Sequence, residues 1–240
     1  DRLDSHGRRH SVCVRCDWNL ELLRASPYLN GLVALRCNAW RSPDPGFAQG
    51  AAAWWATGLQ LTETLQENEV LHLPHVLGHR LTETRANHQP AMPGALELAA
   101  VQSHLDRCAP GALAQPGSEG GVHVRYPLPE PAPLVSLIIP TRNGLRLLRQ
   151  CVRSILDKTD YSRYEIVIVD NGSDEAATLE YLHSFRDHPL VRVHRDERPF
   201  NFAALNNAAV PLCRGELLGL VNNDIEVIDG GWLREMASLA

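Results

Sequence analysis

From Leu134 onward, short apolar runs alternate with amphipathic stretches, and this alternation leaves few architectures open. Leu134 to Pro140 and Tyr164 to Asp170 are continuous apolar segments of the length and composition of strands buried on both faces. Leu190 to His194 and Leu217 to Val221 repeat the pattern. Between the first two, Leu145, Leu148, Val152, Ile155 and Leu156 recur at helical spacing, with Arg146, Arg149, Arg153 and Asp157 on the opposite side. Burying each of those apolar side chains is worth roughly 1.5 to 3 kcal/mol before entropy is charged. A second helix is predicted after Ser173, an N-cap candidate with Asp174 and Glu175 complementing the dipole, and it turns Leu179, Leu182 and Phe185 inward. A third spans Phe202 to Val210, capped by Asn201 and ended before Pro211. Strands and helices in strict alternation predict an α/β fold with a mostly parallel sheet flanked by helices.

Residues 1–108 read as a smaller, irregular α+β region. The sequence predicts a strand over Tyr28 to Arg36, a helix over Ala51 to Leu65, a broken extended segment over Val70 to Leu77, and a helix over Gly94 to Cys108. Residues 109–133 hold Pro110, Pro116, Pro127, Pro129, Pro131 and Pro133 together with Gly111, Gly117, Gly120 and Gly121, and predict a linker that contains one small edge strand, Val122 to Tyr126. The expected organisation is therefore 1–108, a linker over 109–133, and a domain over 134–240.

A net charge of −5 and the absence of a Lys/Arg block argue against a nucleic-acid partner. No apolar run is long enough for an integral membrane segment. The first residues show neither an initiator Met nor a signal-peptide pattern, so the expectation is a piece of a longer chain. Six scattered cysteines predict a reduced, cytoplasmic protein. His6, His10, Cys13 and Cys16 have ligand types suited to zinc, but incidental His and Cys are the favoured reading, since no turn residue lies between His10 and Cys16 to separate the ligand pairs.

Parallel strands deliver their exit loops to one edge, which is where ligands bind in open α/β sheets. The first strand ends in Pro140, Thr141, Arg142 and Asn143, the second in Asp170 and Asn171, the fourth in Asn222, Asn223 and Asp224. Such a rim outlines a nucleotide-diphosphate site. An Asp after the second strand can accept from a base N–H or a ribose hydroxyl, and a carboxylate flanked by amides suits Mg2+ or Mn2+ shared with substrate phosphates. The plain alternative is that strand-exit loops are polar anyway. A dinucleotide site fails at the first turn, which lacks G-x-G-x-x-G, and a P-loop is absent, which also disfavours a nucleotidyltransferase.

Four ordered segments carry a family resemblance: Leu137 to Asn143, Ile168 to Ser173, Phe200 to Ala208 (Phe-Asn-Phe-Ala-Ala-Leu-Asn-Asn-Ala) and Leu220 to Glu226. Together they resemble family 2 glycosyltransferases of the GT-A fold, and most of all the bacterial members that build surface polysaccharides, rhamnosyltransferases among them. The resemblance implies a Rossmann-like nucleotide-sugar-binding half, with Thr141 and Asp170 at the nucleotide base and ribose. Asn201 and Asn206 would shape the loop beside the diphosphate. Asn222-Asn223-Asp224 stands where the family has D-x-D, so Asp224 is the implied metal ligand, and Asn222 departs from the usual carboxylate. The implied reaction moves a sugar from a nucleotide-diphosphate donor to a glycan or lipid-linked acceptor, metal-assisted and inverting, at the inner face of a membrane or peripheral to it. The family's general base lies downstream of D-x-D and is expected beyond Ala240. Residues 1–108 resemble the tail of a second, degenerate transferase module, so a non-catalytic scaffold that keeps the fold without the chemistry is the competing expectation.

Overall fold

Two separate hydrophobic cores divide the chain into units Asp1–Tyr126 and Pro127–Ala240. The computed structural model describes residues 2–4, 6–10, 12, 16–29, 33–36, 45–47, 50–76, 78–81, 92–118 and 120–240. Cys13 of the zinc candidate set lies outside them, as do parts of the stretches expected as a strand over Tyr28 to Arg36 and an extended segment over Val70 to Leu77. The described residues of those two stretches are not in strands.

In the first unit, strands β1 (Arg2–Leu3) and β2 (Arg9–His10) precede helices α1 (Leu20–Ala25) and α2 (Gly50–Thr62). Then come β3 (Arg80–Leu81), α3 (Ala95–Cys108), β4 (Leu113–Pro116) and β5 (Val122–Arg125). Leu23, Trp55, Leu59, Val101, Leu105, Val122 and Val124 form the core. Asn19 caps α1 by accepting the Leu22 N–H, and the Trp55 indole donates to Leu23 O at 2.6 Å, joining α2 to α1.

The stretch expected as a linker over 109–133 is in part ordered. β4 and β5 pair antiparallel, with Leu113 opposite Arg125 and Pro116 opposite Val122. Gly120 and Gly121, at φ 95° and 70°, occupy the left-handed conformations that return the chain. Ala112, Val122 and Val124 are buried in the first unit. Pro and Gly exclude a helix or a central strand, but a two-stranded hairpin has only edges and tolerates them.

The second unit holds β6 (Val135–Thr141), α4 (Leu145–Lys158), β7 (Tyr164–Asp170), α5 (Ala176–His183), β8 (Val191–Arg195), α6 (Phe202–Ala209), β9 (Leu217–Leu220) and α7 (Trp232–Ser238). Its sheet has the order β8-β7-β6-β9, and every pairing is parallel, as the alternation predicts. On one face Leu137, Ile139, Ile166 and Ile168 pack with Leu148, Cys151, Val152 and Ile155 of α4 and with Leu182 and Phe185. On the other, Ile138, Val167 and Val169 meet Leu205 and Ala209 of α6. Helices on both faces explain why β6 and β7 are buried almost throughout.

Three local expectations need correction. β9 is not buried on both faces: Leu218 and Leu220 are 45% and 59% exposed, because β9 is the edge strand and pairs with β6 alone among the described residues. Leu179 is exposed, while Leu182 and Phe185 are buried. Ser173 does not cap α5, whose N-cap is Glu175. A buried polar cluster lies within the second unit, where Glu165 accepts from the Ser136 hydroxyl and the Arg214 amide at 2.7 Å and from the Arg192 guanidinium at 2.9 Å.

Candidate functional site

The parallel register sets Thr141 of β6 beside Asp170 of β7, and Asp170 beside Arg195 of β8. The chain crosses between these ends through backbone bonds, Asn171 N–H to Thr141 O and Asp196 N–H to Asp170 O, both 2.8 Å. The loop after β9 joins them when the Asn223 amide donates to the Thr141 hydroxyl at 3.0 Å. Thr141, Asp170, Asn171 and Asn223 therefore share the carboxyl edge of the sheet.

Asp170 is 2% exposed, and both of its oxygens are engaged: Oδ1 accepts the Ser173 N–H at 2.9 Å and Oδ2 accepts from Arg195 at 2.7 Å. A carboxylate can accept about four hydrogen bonds, so Asp170 retains acceptor capacity. Arg195 also bonds Ser173 O and Glu197. Sequence reasoning named Arg142 as the guanidinium of this rim and missed Arg195. Arg142 is exposed, whereas Arg195 ends the third parallel strand in register with Asp170, and that shared strand-end position is the signal that could have found it. Beside it, Arg198 holds the Asp196 carboxyl down to about 2 through its side chain and then its backbone N–H.

The amides divide by what they bind. Asn143, at φ 52°, bridges two loops: its Oδ1 accepts the N–H groups of Asp174 and Glu175, its Nδ2 donates to Asp174 Oδ1, and its own N–H goes to Ser173 Oγ. Asn171 donates to Asp196 O and Arg198 O, and its buried Oδ1 has no partner. Asn206 is in the same state, donating to Phe202 O with an unpartnered, buried Oδ1. Asn201 caps α6 by accepting the Ala204 N–H at 3.0 Å. The bonds of Asn201 and Asn206 stay within α6, and none reaches Thr141, Asp170 or Asn223. Pro140 is half-buried in β6 opposite Val169.

Asn222 and Asp224 are exposed, and Asp224 has no hydrogen bond or ion pair among the described residues. A carboxylate without a counterion, next to amide oxygens on an open rim, fits a hard divalent cation that completes its shell with water and phosphate oxygens. Beneath this loop, burial and then the Asp224 charge push the Cys151 thiol up to about 11, so it stays protonated and is not a thiolate ligand. Glu226 lies nearby with its carboxyl lowered by the Lys158 ammonium, and bonds to Gln150 as well.

A second group of metal-ligand types lies in the first unit, where Glu63, His104 and Cys108 place ligand atoms within 4.8 Å of one another. Arg24 Nε donates to His104 Nε2 at 3.2 Å, which assigns the ring proton to Nδ1 and directs it to Glu63 at 3.0 Å. Arg107 donates to both Glu63 oxygens. Two guanidiniums and a protonated Nδ1 make this a closed ion-pair network rather than a cation site. No helix among the described residues is long and apolar enough to cross a membrane.

Residues 136–240 match the family model described as Glycosyl transferase family 2. The whole chain is 39% identical over 251 residues to the protein y4gI of Sinorhizobium fredii and covers 27% of it. It is 32% identical over 247 residues to the O-antigen biosynthesis protein RfbC of Myxococcus xanthus, again matching along the entire chain and covering 19% of RfbC. The chain thus spans about a quarter or less of the length of these relatives. Among solved structures, TarS residues 1–349 of S. aureus is similar at 26% identity and a TM-score of 0.39, over 43% of this chain and 31% of that one.

Proposed function

Because residues 136–240 belong to glycosyl transferase family 2, we propose that they form the donor-binding part of a transferase that moves a sugar from a nucleoside-diphosphate sugar to a glycan or lipid-linked acceptor. The observation that carries this reading is the direct bond between Asn223 and Thr141, which brings the loop of the uncompensated Asp224 to the end of β6, where Thr141 pairs with Asp170. Asp170 would accept from a base N–H or a ribose hydroxyl, while the bond from Arg195 holds its carboxylate in place. The unpartnered oxygens of Asn171 and Asn206 are acceptors that a bound nucleotide or its waters could satisfy. Asp224, with Asn222 beside it, would hold Mg2+ or Mn2+, which when bound stabilises the negative charge of the departing diphosphate. Asn143 holds the first two loops together so that this rim does not splay.

The name of RfbC supports placing the reaction in surface-polysaccharide synthesis, and a lipid-linked acceptor would bring the chain to a membrane surface. Both relatives align along the whole chain, which supports reading the first unit as the tail of a preceding transferase module kept in tandem with the second. Titration calorimetry with UDP, GDP and dTDP, with and without Mn2+ or Mg2+, tests the donor site. Metal-dependent heat with at least one nucleotide, lost in Asp224→Ala, is expected. Absence of metal-dependent heat with all of them removes the reading.

A further inference from the structure

The segment that carries Asp224 is fastened along one side by a single helix. Cys151 Sγ donates to Asn222 O at 3.5 Å, and Ser154 Oγ accepts the Val227 N–H at 3.0 Å. Gln150 Nε2 donates to Glu226 Oε2 at 2.6 Å, and Lys158 Nζ donates to Glu226 Oε1 at 3.0 Å and to Val227 O at 2.8 Å. Residues 151, 154 and 158 follow the three- and four-residue spacing of one helix face, and 150 flanks them, so α4 presents these groups as one row. From the opposite side the Asn223 amide is held by Thr141. Among the described residues the Asp224 side chain makes no hydrogen bond or ion pair, and it lies between two fastened points, Asn223 and Glu226.

We propose that Glu226 is a positioning residue: bridged between Gln150 and Lys158, it holds the 222–227 segment so that Asp224 is already presented before any ligand arrives. A lone exposed ion pair does little. Here one carboxylate takes two different donors, and the same ammonium also bonds the Val227 carbonyl, so side chain and adjoining backbone are held by one group of α4. A loop ordered in advance does not spend binding energy on being ordered. The consequence for metal binding rests on the donor-site reading above; the restraint itself does not.

Hydrogen exchange on the full chain separates the two. In Glu226→Ala and in Lys158→Met, amides of residues 222–227 should exchange about fivefold faster, with exchange in β6 and β7 and the melting midpoint unchanged. Lys158→Arg should restore much of the protection. Alongside, the metal-supported part of nucleotide affinity should fall by a similar factor while the metal-free part stays constant, a split that a merely structural role would not produce. Unchanged exchange over 222–227 in both variants overturns the proposal, as does a loss spread over the whole unit. Faster exchange in the variants of a chain whose wild type shows no metal-dependent heat would keep the restraint and discard the donor site.

Discussion

Asn143 carries a prediction that separates two effects at one position. Its Oδ1 accepts from Asp174 N and Glu175 N at 3.0 and 3.2 Å, which ties the turn leading into α5 to the exit of β6. Losing such hydrogen bonds costs about 1 kcal/mol, within a range of about 0.5–1.5. The backbone there is left-handed at φ 52°, a conformation that Asn tolerates and that costs Ala roughly 1–2 kcal/mol. Asn143→Ala loses both terms and should destabilise the start of α5 by about 2–3 kcal/mol. Asn143→Gly loses the bonds but relaxes the backbone and should cost about 1 kcal/mol. Native-state hydrogen exchange over 173–183 reads the local opening free energy and can resolve the difference. Equal costs for Ala and Gly would refute the backbone half of the reasoning. A cost below about 0.5 kcal/mol in both would refute the bridging role itself.

Other perturbations test other parts of the molecule. Ile155→Ala empties a fully buried position between α4 and the sheet and should lower stability by about 2–5 kcal/mol in urea unfolding; a loss under about 1 kcal/mol would mean that the site collapses or is less packed than it looks. Burial alone would raise the Glu165 carboxyl, but the Arg214 amide, the Ser136 hydroxyl and Arg192 reverse that and leave it below its ordinary value. The stability it contributes is present above about pH 4.5 and is lost as pH falls through the lower folded value, so Glu165→Ala should unfold less steeply with acid and cost about 3 kcal/mol at neutral pH. His104 goes the other way in charge but not in sign: burial, helped by the Arg24 charge, lowers its pKa against the pull of Glu63, so the folded chain resists protonation. First-unit stability should therefore fall as pH drops from about 6.5 towards the lower folded value, a slope that His104→Gln should remove in thermal melts between pH 5 and 7. A slope unchanged in that variant would place the titrating group elsewhere.

Periodicity alone determined the elements of the second unit: β7 runs from Tyr164 to Asp170 as the apolar run does, Asn201 caps α6, and α4 buries Leu148, Val152 and Ile155 on the face their spacing marks. Those signals are local, because a helix repeats every 3.6 residues and a strand every two, and the polar exits of parallel strands must share an edge. Sheet order is not local, and it decided the rest. Edge position left Leu218 and Leu220 of β9 exposed although the run reads as buried, and register set Arg195 rather than Arg142 against Asp170. The bond from Asn143 to the start of α5 joins residues about thirty apart, and no composition rule anticipates it. Likewise Ala112, Val122 and Val124 were hidden in a Pro/Gly-rich stretch because their burial depends on a core supplied by α1, α2 and α3. Residue patterns set what each segment is; only the packed fold assigns each side chain its partner, because partners are chosen across space by what neighbouring segments bring.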